Sequence, residues 1–170
     1  DVHRSQIRKD TTIPYVSHLL SVAGLVLESG GDEDLAIAGL LHDAVEDAKE
    51  ISGEEMSDRI RTKFGDRVAD IVDGCSDAKS SPGGSKPPWR SRKEAYIQHL
   101  SSASIDVLRV SIADKVHNAR SIATDQDQFG EVVWTRFTST SEESRWYYTS
   151  LRDIYKERIG DSYLIKELDI

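Results

Sequence analysis

Residues His42, Asp43, Glu46 and Asp47 place one imidazole and three carboxylates within a single short stretch, Asp34–Ala48. Further along, Asp114 sits among Val107, Leu108, Ile112 and Val116, and a buried carboxylate must be paired or must coordinate a metal. His18 lies among Val16, Leu19 and Leu20, where a lone histidine is more often a hydrogen-bonded core residue than a ligand. The His42–carboxylate cluster that follows 24 residues later brings the ligand reading forward. Together His18, His42, Asp43 and Asp114 offer two nitrogens and two oxygens without thiolate. That donor set suits Mn²⁺, Fe²⁺ or Zn²⁺ at an open site better than a closed structural zinc site. A bound divalent ion lowers the pKa of its water from 15.7 toward about 7. Glu46 and Asp47 are then candidates for the proton transfers that such a water and a leaving group need. Hydrolysis of a phosphate ester is the chemistry this equipment fits. For Asp114, a buried pair with His117 is the structural alternative, while Lys115, at i+1, is expected to face elsewhere.

Several elements must position these groups. Pro14–Glu28 reads as a helix with Val16, Leu19, Leu20, Ala23, Val26 and Leu27 on its buried stripe and His18 just beside it. Ser29-Gly30-Gly31 is a C-cap and tight connection, folding this helix antiparallel to the next so that His18 and His42 meet. Asp34–Ala48 is read as one amphipathic helix, with Ile37, Leu40, Leu41, Ala44, Val45 and Ala48 inward and Asp32 as N-cap. Glu54–Phe64 and Asp66–Cys75 are two further helices, the second ended by Gly74. Asp77–Trp89 carries Ser80-Ser81-Pro82-Gly83-Gly84-Ser85-Lys86-Pro87-Pro88 and reads as a mobile surface loop, most densely broken at about 78–89. After it, Arg90, Arg92 and Lys93 open a helix through Leu100, either as a solvated helix start or as an anion-gathering rim. Asp106–Ala123 is a mostly buried helix with a polar stripe at Ser111, Asp114, Asn118 and Ser121. The aromatic-rich remainder, Phe129–Asp169, supplies one or two more helices, with Arg136 and Arg145 as possible anion contacts. No strand alternation stands out, and the expected fold is an all-α, compact single-domain helical bundle over residues 1–170.

With 170 residues and a net charge of −8, the chain is long enough for one sizeable core and lacks the basic face of a general nucleic-acid binder. No apolar run approaches the roughly 20 residues that span a bilayer, and no signal-peptide pattern opens the chain. The lone Cys75 allows no internal disulfide, and the expectation is a cytoplasmic protein that binds neither nucleic acid nor membrane. Asp1-Val2-His3-Arg4 carries no initiator methionine, so a preceding N-terminal helix is expected to lie outside the sequence.

His18, the His42-Asp43 doublet and Asp114 resemble the H…HD…D signature of the HD phosphohydrolase superfamily. A finer likeness adds to it. Arg8-Lys9 followed by Pro14-Tyr15-Val16-Ser17-His18 resembles the opening of alarmone hydrolase domains. Leu40 to Asp47 is similar to their "LLHD.vED" block, Phe64-Gly65 with Ile71–Gly74 to "FG…lVdG", and Ala113–Ser121 to "ADklhNlRt". The resemblance covers about residues 3 to 122 and is specific for the Rel/SpoT-type branch, here as a stand-alone small alarmone hydrolase. It implies an HD-type bundle and Mn²⁺-dependent removal of the 3′-pyrophosphate from (p)ppGpp, giving GDP or GTP and pyrophosphate. It further implies one divalent ion on His18, His42, Asp43 and Asp114, with Fe²⁺ or Zn²⁺ as alternatives, and Glu46 and Asp47 as the catalytic pair. Arg8 would stack on guanine, Lys9 would lie near phosphate or base, Asn118 would contact ribose, and Lys115 and Ser121 would complete the substrate set. The Lys86–Lys93 region would face the 5′-phosphates. Two other readings stay open: an HD-type phosphohydrolase for another nucleotide, such as NADPH or a nucleoside monophosphate, and a non-catalytic nucleotide-binding regulator.

Overall fold

A long buried helix, α7 (Ile105–Phe129), carries Asp114 and organises the rest of the computed structural model, which describes residues 2–77 and 87–168. Packed on it are α1 (Val16–Glu28), α2 (Glu33–Leu41), α5 (Asp66–Cys75), α8 (Ser141–Ile159) and the short α9 (Tyr163–Lys166). Around these lie α3 (Ala44–Asp47), α4 (Gly53–Phe64), α6 (Trp89–Leu100) and a 3₁₀ helix at Gly130–Arg136. No strand forms among the described residues, so the bundle is all-α as expected. No helix among them is long and apolar enough to cross a membrane.

α1 and α2 make the hairpin that sets the site. Gly30 closes the connection with φ +82, and a Cβ at Gly31 would meet Val26 Cγ1 at 2.6 Å, so the tight Ser29-Gly30-Gly31 turn needs both glycines. Asp32 accepts from Leu35 N at 3.0 Å, the N-cap its position predicts. Gly39 lets the two helices approach closely, since a Cβ there would lie 3.3 Å from Ala23 Cα. The inward face of α1 differs from the expected stripe. His18, Leu19, Val22, Ala23, Leu25 and Val26 are buried, while Val16, Leu20 and Leu27 are about half exposed. Packing on both α2 and α7 turns the helix so that His18 points into the core. The helix also starts later than Pro14, at Val16.

Asp34–Ala48 is not one helix. The ladder breaks at His42 and Asp43, between α2 and α3, with Asp43 at φ −92 and ψ −5. Consecutive residues on an unbroken α-helix diverge by about 100°. His42 and Asp43 here face one point, and the break is what allows it. One glycine expected to punctuate the chain does other work: Gly74 lies inside α5, where a Cβ would meet Val107 Cγ2 of α7 at 2.5 Å. α7 runs past Ala123 to Phe129 and stops at Gly130, φ +67. Ser111 faces away from Asp114's stripe and bonds the hydroxyls of Tyr96 at 2.9 Å and Tyr155 at 2.6 Å, tying α6, α7 and α8 through one buried chain. Of the expected loop, residues 78–86 lie outside the described residues, and Trp89 already belongs to α6.

The opening segment is a hairpin. Arg8 N donates to Ile13 O at 2.8 Å and Tyr15 N to Gln6 O at 2.8 Å, with an isolated bridge between Ile7 and Pro14. This strap lies across the mouth of the α1–α2–α7 junction.

Candidate active site

At that junction four side chains converge. His18, His42 and Asp114 are buried, and one ligand atom from each lies within 4.8 Å of the others. His18 Nε2 is 3.2 Å from Asp114 Oδ1 and 3.7 Å from Asp43 Oδ2. His42 Nε2 is 3.1 Å from Asp43 Oδ2 and 3.6 Å from Asp114 Oδ1. The four predicted donors therefore share one locus. Burial disfavours every charge here and is outweighed by mutual attraction. Asp43 draws His42 well above the ordinary imidazole range, His42 holds Asp43 well below the carboxylate range, and Lys115 with the two histidines does the same for Asp114.

The second contacts of the histidines decide what the locus suits. His42 Nδ1 bonds Gly39 O at 2.8 Å, and a carbonyl only accepts, so Nδ1 carries a proton. An ion that displaces the second proton of His42 leaves Nε2 as a lone pair, and this buried atom has no hydrogen-bond partner. His18 Nδ1 meets His117 Nδ1 at 2.8 Å, and His117, pushed down to about 4 by burial and then by His18 and Arg8, stays neutral. With His18 Nδ1–H donating to His117, its Nε2 also presents a lone pair. Two imidazole lone pairs and two carboxylates aimed at one point fit a divalent cation, which favours neutral imidazole and ionised carboxylate alike.

The residues behind these four side chains hold them in place. Tyr15 OH donates to Asp43 Oδ2 at 2.6 Å. Asn118 Nδ2 donates to Asp114 Oδ1 at 2.6 Å while its Oδ1 accepts from Arg8 Nη2 at 2.9 Å, linking the strap to the ligand through one amide. Lys115 Nζ lies 2.5 Å from Asp114 Oδ2. The expectation that Lys115 faces elsewhere is thus incorrect: its flexible stem curls back along the helix, because a buried ammonium needs that carboxylate. The Asp114–His117 pair does not form; His117 bonds His18 instead.

Two cavities flank the locus. A cleft of about 510 Å³ is lined by Arg8, Lys9, Tyr15, Asn118, Ser121 and Tyr148, among others. It gathers four of the five expected substrate residues. Arg8 sits 5.8 Å from the Tyr15 ring centre, and Ser121 Oγ donates to His117 O. On the other side, a polar pocket of about 140 Å³ holds Asp43, Glu46, Asp114, Lys115 and Lys93, and shares Tyr15 and Asn118 with the cleft. Glu46 therefore opens onto the ligands, while Asp47, one residue on, accepts from Gln6 Nε2 at 3.1 Å. Lys93 faces the polar pocket, and Asp77 binds both it and Arg92 at 2.6 Å. Arg90 turns away, stacking 3.4 Å from the Trp146 ring centre, and Arg136 pairs with Asp125.

The HD domain family matches residues 1–137. The chain belongs to the HD domain family. Among its relatives is a probable guanosine-3′,5′-bis(diphosphate) 3′-pyrophosphohydrolase of Synechocystis, 34% identical over 122 residues, 72% of this chain and 15% of that protein. Another is the guanosine-3′,5′-bis(diphosphate) 3′-pyrophosphohydrolase MESH1 of Xenopus tropicalis, 35% identical over 123 residues, 71% of this chain and 63% of that one. In three dimensions the chain is similar to a metazoan ortholog of SpoT that hydrolyses ppGpp, with TM-score 0.72, 27% identity, and coverage of 98% and 85%. The chain thus spans less than two thirds of the length of the Synechocystis and Xenopus relatives. In this HD domain, sequence reasoning missed Gln6 and Tyr15, and set His117 beside Asp114 rather than His18. Tyr15 and His117 fall inside the very motifs quoted for the resemblance, but nothing in their spacing reveals which ligand each one holds.

Proposed function

We propose that this HD domain is a Mn²⁺-dependent (p)ppGpp 3′-pyrophosphohydrolase, acting as a single cytoplasmic domain and releasing pyrophosphate and GDP or GTP. The observation that carries this reading is the junction of the two cavities: Asn118 and Tyr15 line both, so a nucleotide in the Arg8 cleft would have its 3′ substituent beside His18, His42, Asp43 and Asp114. The activities named for the Synechocystis and Xenopus relatives support it.

A divalent ion bound there supplies positive charge to the phosphate oxygens and acidifies a water. The chain does the rest. Arg8 offers a guanidinium plane for the base, and Lys9 and Asn118 offer polar contacts near phosphate and ribose. Lys93 and Lys115 offer ammonium donors in the polar pocket for phosphate oxygens. Glu46 or Asp47 takes the proton from the attacking water and returns one to the departing 3′-oxygen, so the products are a free 3′-hydroxyl and pyrophosphate. Tyr15 and His117 keep Asp43 and His18 aligned throughout.

The test is turnover on a nucleotide panel with and without Mn²⁺, reading both pyrophosphate and phosphate. Pyrophosphate release from ppGpp is expected, and Asp47→Ala is expected to abolish it while metal content is retained. Release of phosphate instead, or reaction only with NADPH or nucleoside monophosphates, overturns the assignment.

A further inference from the structure

Behind Asp47 runs a hydrogen-bonded chain that none of the assigned roles uses. Gln6, on the opening strap, donates from Nε2 to Asp47 Oδ2 at 3.1 Å, bridging 41 residues of sequence. Its Oε1 lies 2.9 Å from His3 Nδ1. The His3 ring in turn stacks on Tyr15, with centroids 4.8 Å apart and planes 19° from parallel, and Tyr15 OH holds Asp43.

The direction of the chain is determined. Asp47 Oδ2 accepts, so the Gln6 amide must present its NH₂ there and its carbonyl to His3. His3 must then donate from Nδ1, and its Nε2 is buried and has no partner. A buried orphan of this kind carries a cost, and the stacked geometry retains it. A His3 without a proton on Nδ1 would either set lone pair against lone pair at Oε1 or force the amide to turn its carbonyl toward the Asp47 carboxylate.

We propose that Gln6 is a positioning residue that holds the Asp47 carboxylate in its working orientation, with His3 fixing the Gln6 amide. This rests on the reading of Asp47 as a proton-transfer group. Asp47 ends the four-residue α3, beyond the helix break, so little regular backbone fixes its side chain from within. The strap does so from outside. It holds Asp43 through Tyr15 and Asp114 through Arg8 and Asn118, so the same segment that offers Arg8 to the base sets three of the site's carboxylates.

The experiment compares wild type, Gln6→Leu and His3→Phe in Mn²⁺-dependent ppGpp hydrolysis. Gln6→Leu keeps the length of the side chain without its amide, and His3→Phe keeps a ring to stack on Tyr15. Misplacing a reacting group by about 1 Å costs up to roughly 10²-fold, so Gln6→Leu is expected to lower kcat by about ten- to a hundredfold. KM is expected to stay within about twofold, the pattern of a contact that matters only in the transition state. His3→Phe is expected to lose less of kcat, again without a change in KM. A thermal double-mutant cycle of Gln6→Leu with Asp47→Ala reads the contact without any substrate, and the double variant should lose less stability than the two single losses together. Full kcat in Gln6→Leu, a loss confined to KM, or strict additivity in the thermal cycle overturns the proposal and leaves the hydrolase reading standing. A wild-type protein that releases no pyrophosphate overturns both.

Discussion

Replacing Asp114 by Asn separates two jobs that the carboxylate performs at once. One oxygen faces the His18 and His42 Nε2 atoms at 3.2 and 3.6 Å, and the other neutralises Lys115 at 2.5 Å. Both members of the Lys115 pair are nearly buried, with side chains 13% and 9% exposed. Removing one partner of a buried pair costs about 3–5 kcal/mol, because the remaining charge is left uncompensated. For a chain of this size each kcal/mol moves Tm by about 2–4 °C, so the ion-free variant should melt about 6–20 °C below wild type. Ion binding is a second, independent quantity. At a free Mn²⁺ concentration 100 times Kd, binding to the folded state alone adds about 2.7 kcal/mol, or about 5–11 °C in wild type. The variant should show little of that gain. Thermal unfolding by circular dichroism, with chelator and with Mn²⁺, reads both. An Asp114→Asn protein that keeps the full ion-dependent shift would place the ion elsewhere, and one that melts like wild type without ion would show that Lys115 does not depend on Asp114.

Two further outcomes follow from the packing and charge of the bundle. Gly74→Ala drives a Cβ to 2.5 Å from Val107 Cγ2, and overpacking of this kind costs about 1–3 kcal/mol; urea unfolding should show the loss, and Val107→Ala in the same chain should recover part of it. Asp77 is buried, which raises its pKa, but Lys93 and then Arg92 outweigh this and hold it below its ordinary 3.8. A depressed carboxylate stabilises the fold above the unfolded value and ceases to do so as pH falls through the folded one. The stability difference between wild type and Asp77→Asn should therefore be full at pH 7 and shrink below about pH 4, and a difference constant over that range would contradict the pairing.

The spacing of apolar residues located α1, α4, α5 and the bulk of α7, because a helical period marks where a helix runs, although on α1 it named Val16, Leu20 and Leu27, which are about half exposed. It could not reveal the break at His42-Asp43. Leu40, Leu41, Ala44 and Val45 continue a helical period straight through it, and only the need for two adjacent side chains to face one point interrupts the ladder. The four candidate metal donors were legible as residue types, since buried histidines and carboxylates demand compensation. Their supporters were not. Gln6, Tyr15 and His117 act over 41, 28 and 99 residues of sequence, and side chains that meet across such distances leave no local period to read. Lys115 was misplaced for a related reason: the rule for neighbouring helix positions describes Cβ directions, whereas a four-carbon stem can fold back.

The link between Arg8 and Asn118 joins positions 110 residues apart. During synthesis, the strap and α1 emerge early, but the helix that receives them comes late. At about 5–20 residues per second, the ribosome needs roughly 5–20 s to pass from Tyr15 to Asn118. Over that interval His18, His42 and Asp43 exist without Asp114, and the cleft has only one wall. The nascent domain thus lacks the complete His–carboxylate cluster until α7 is made, so its four converging side chains are brought together in one late step rather than piecemeal.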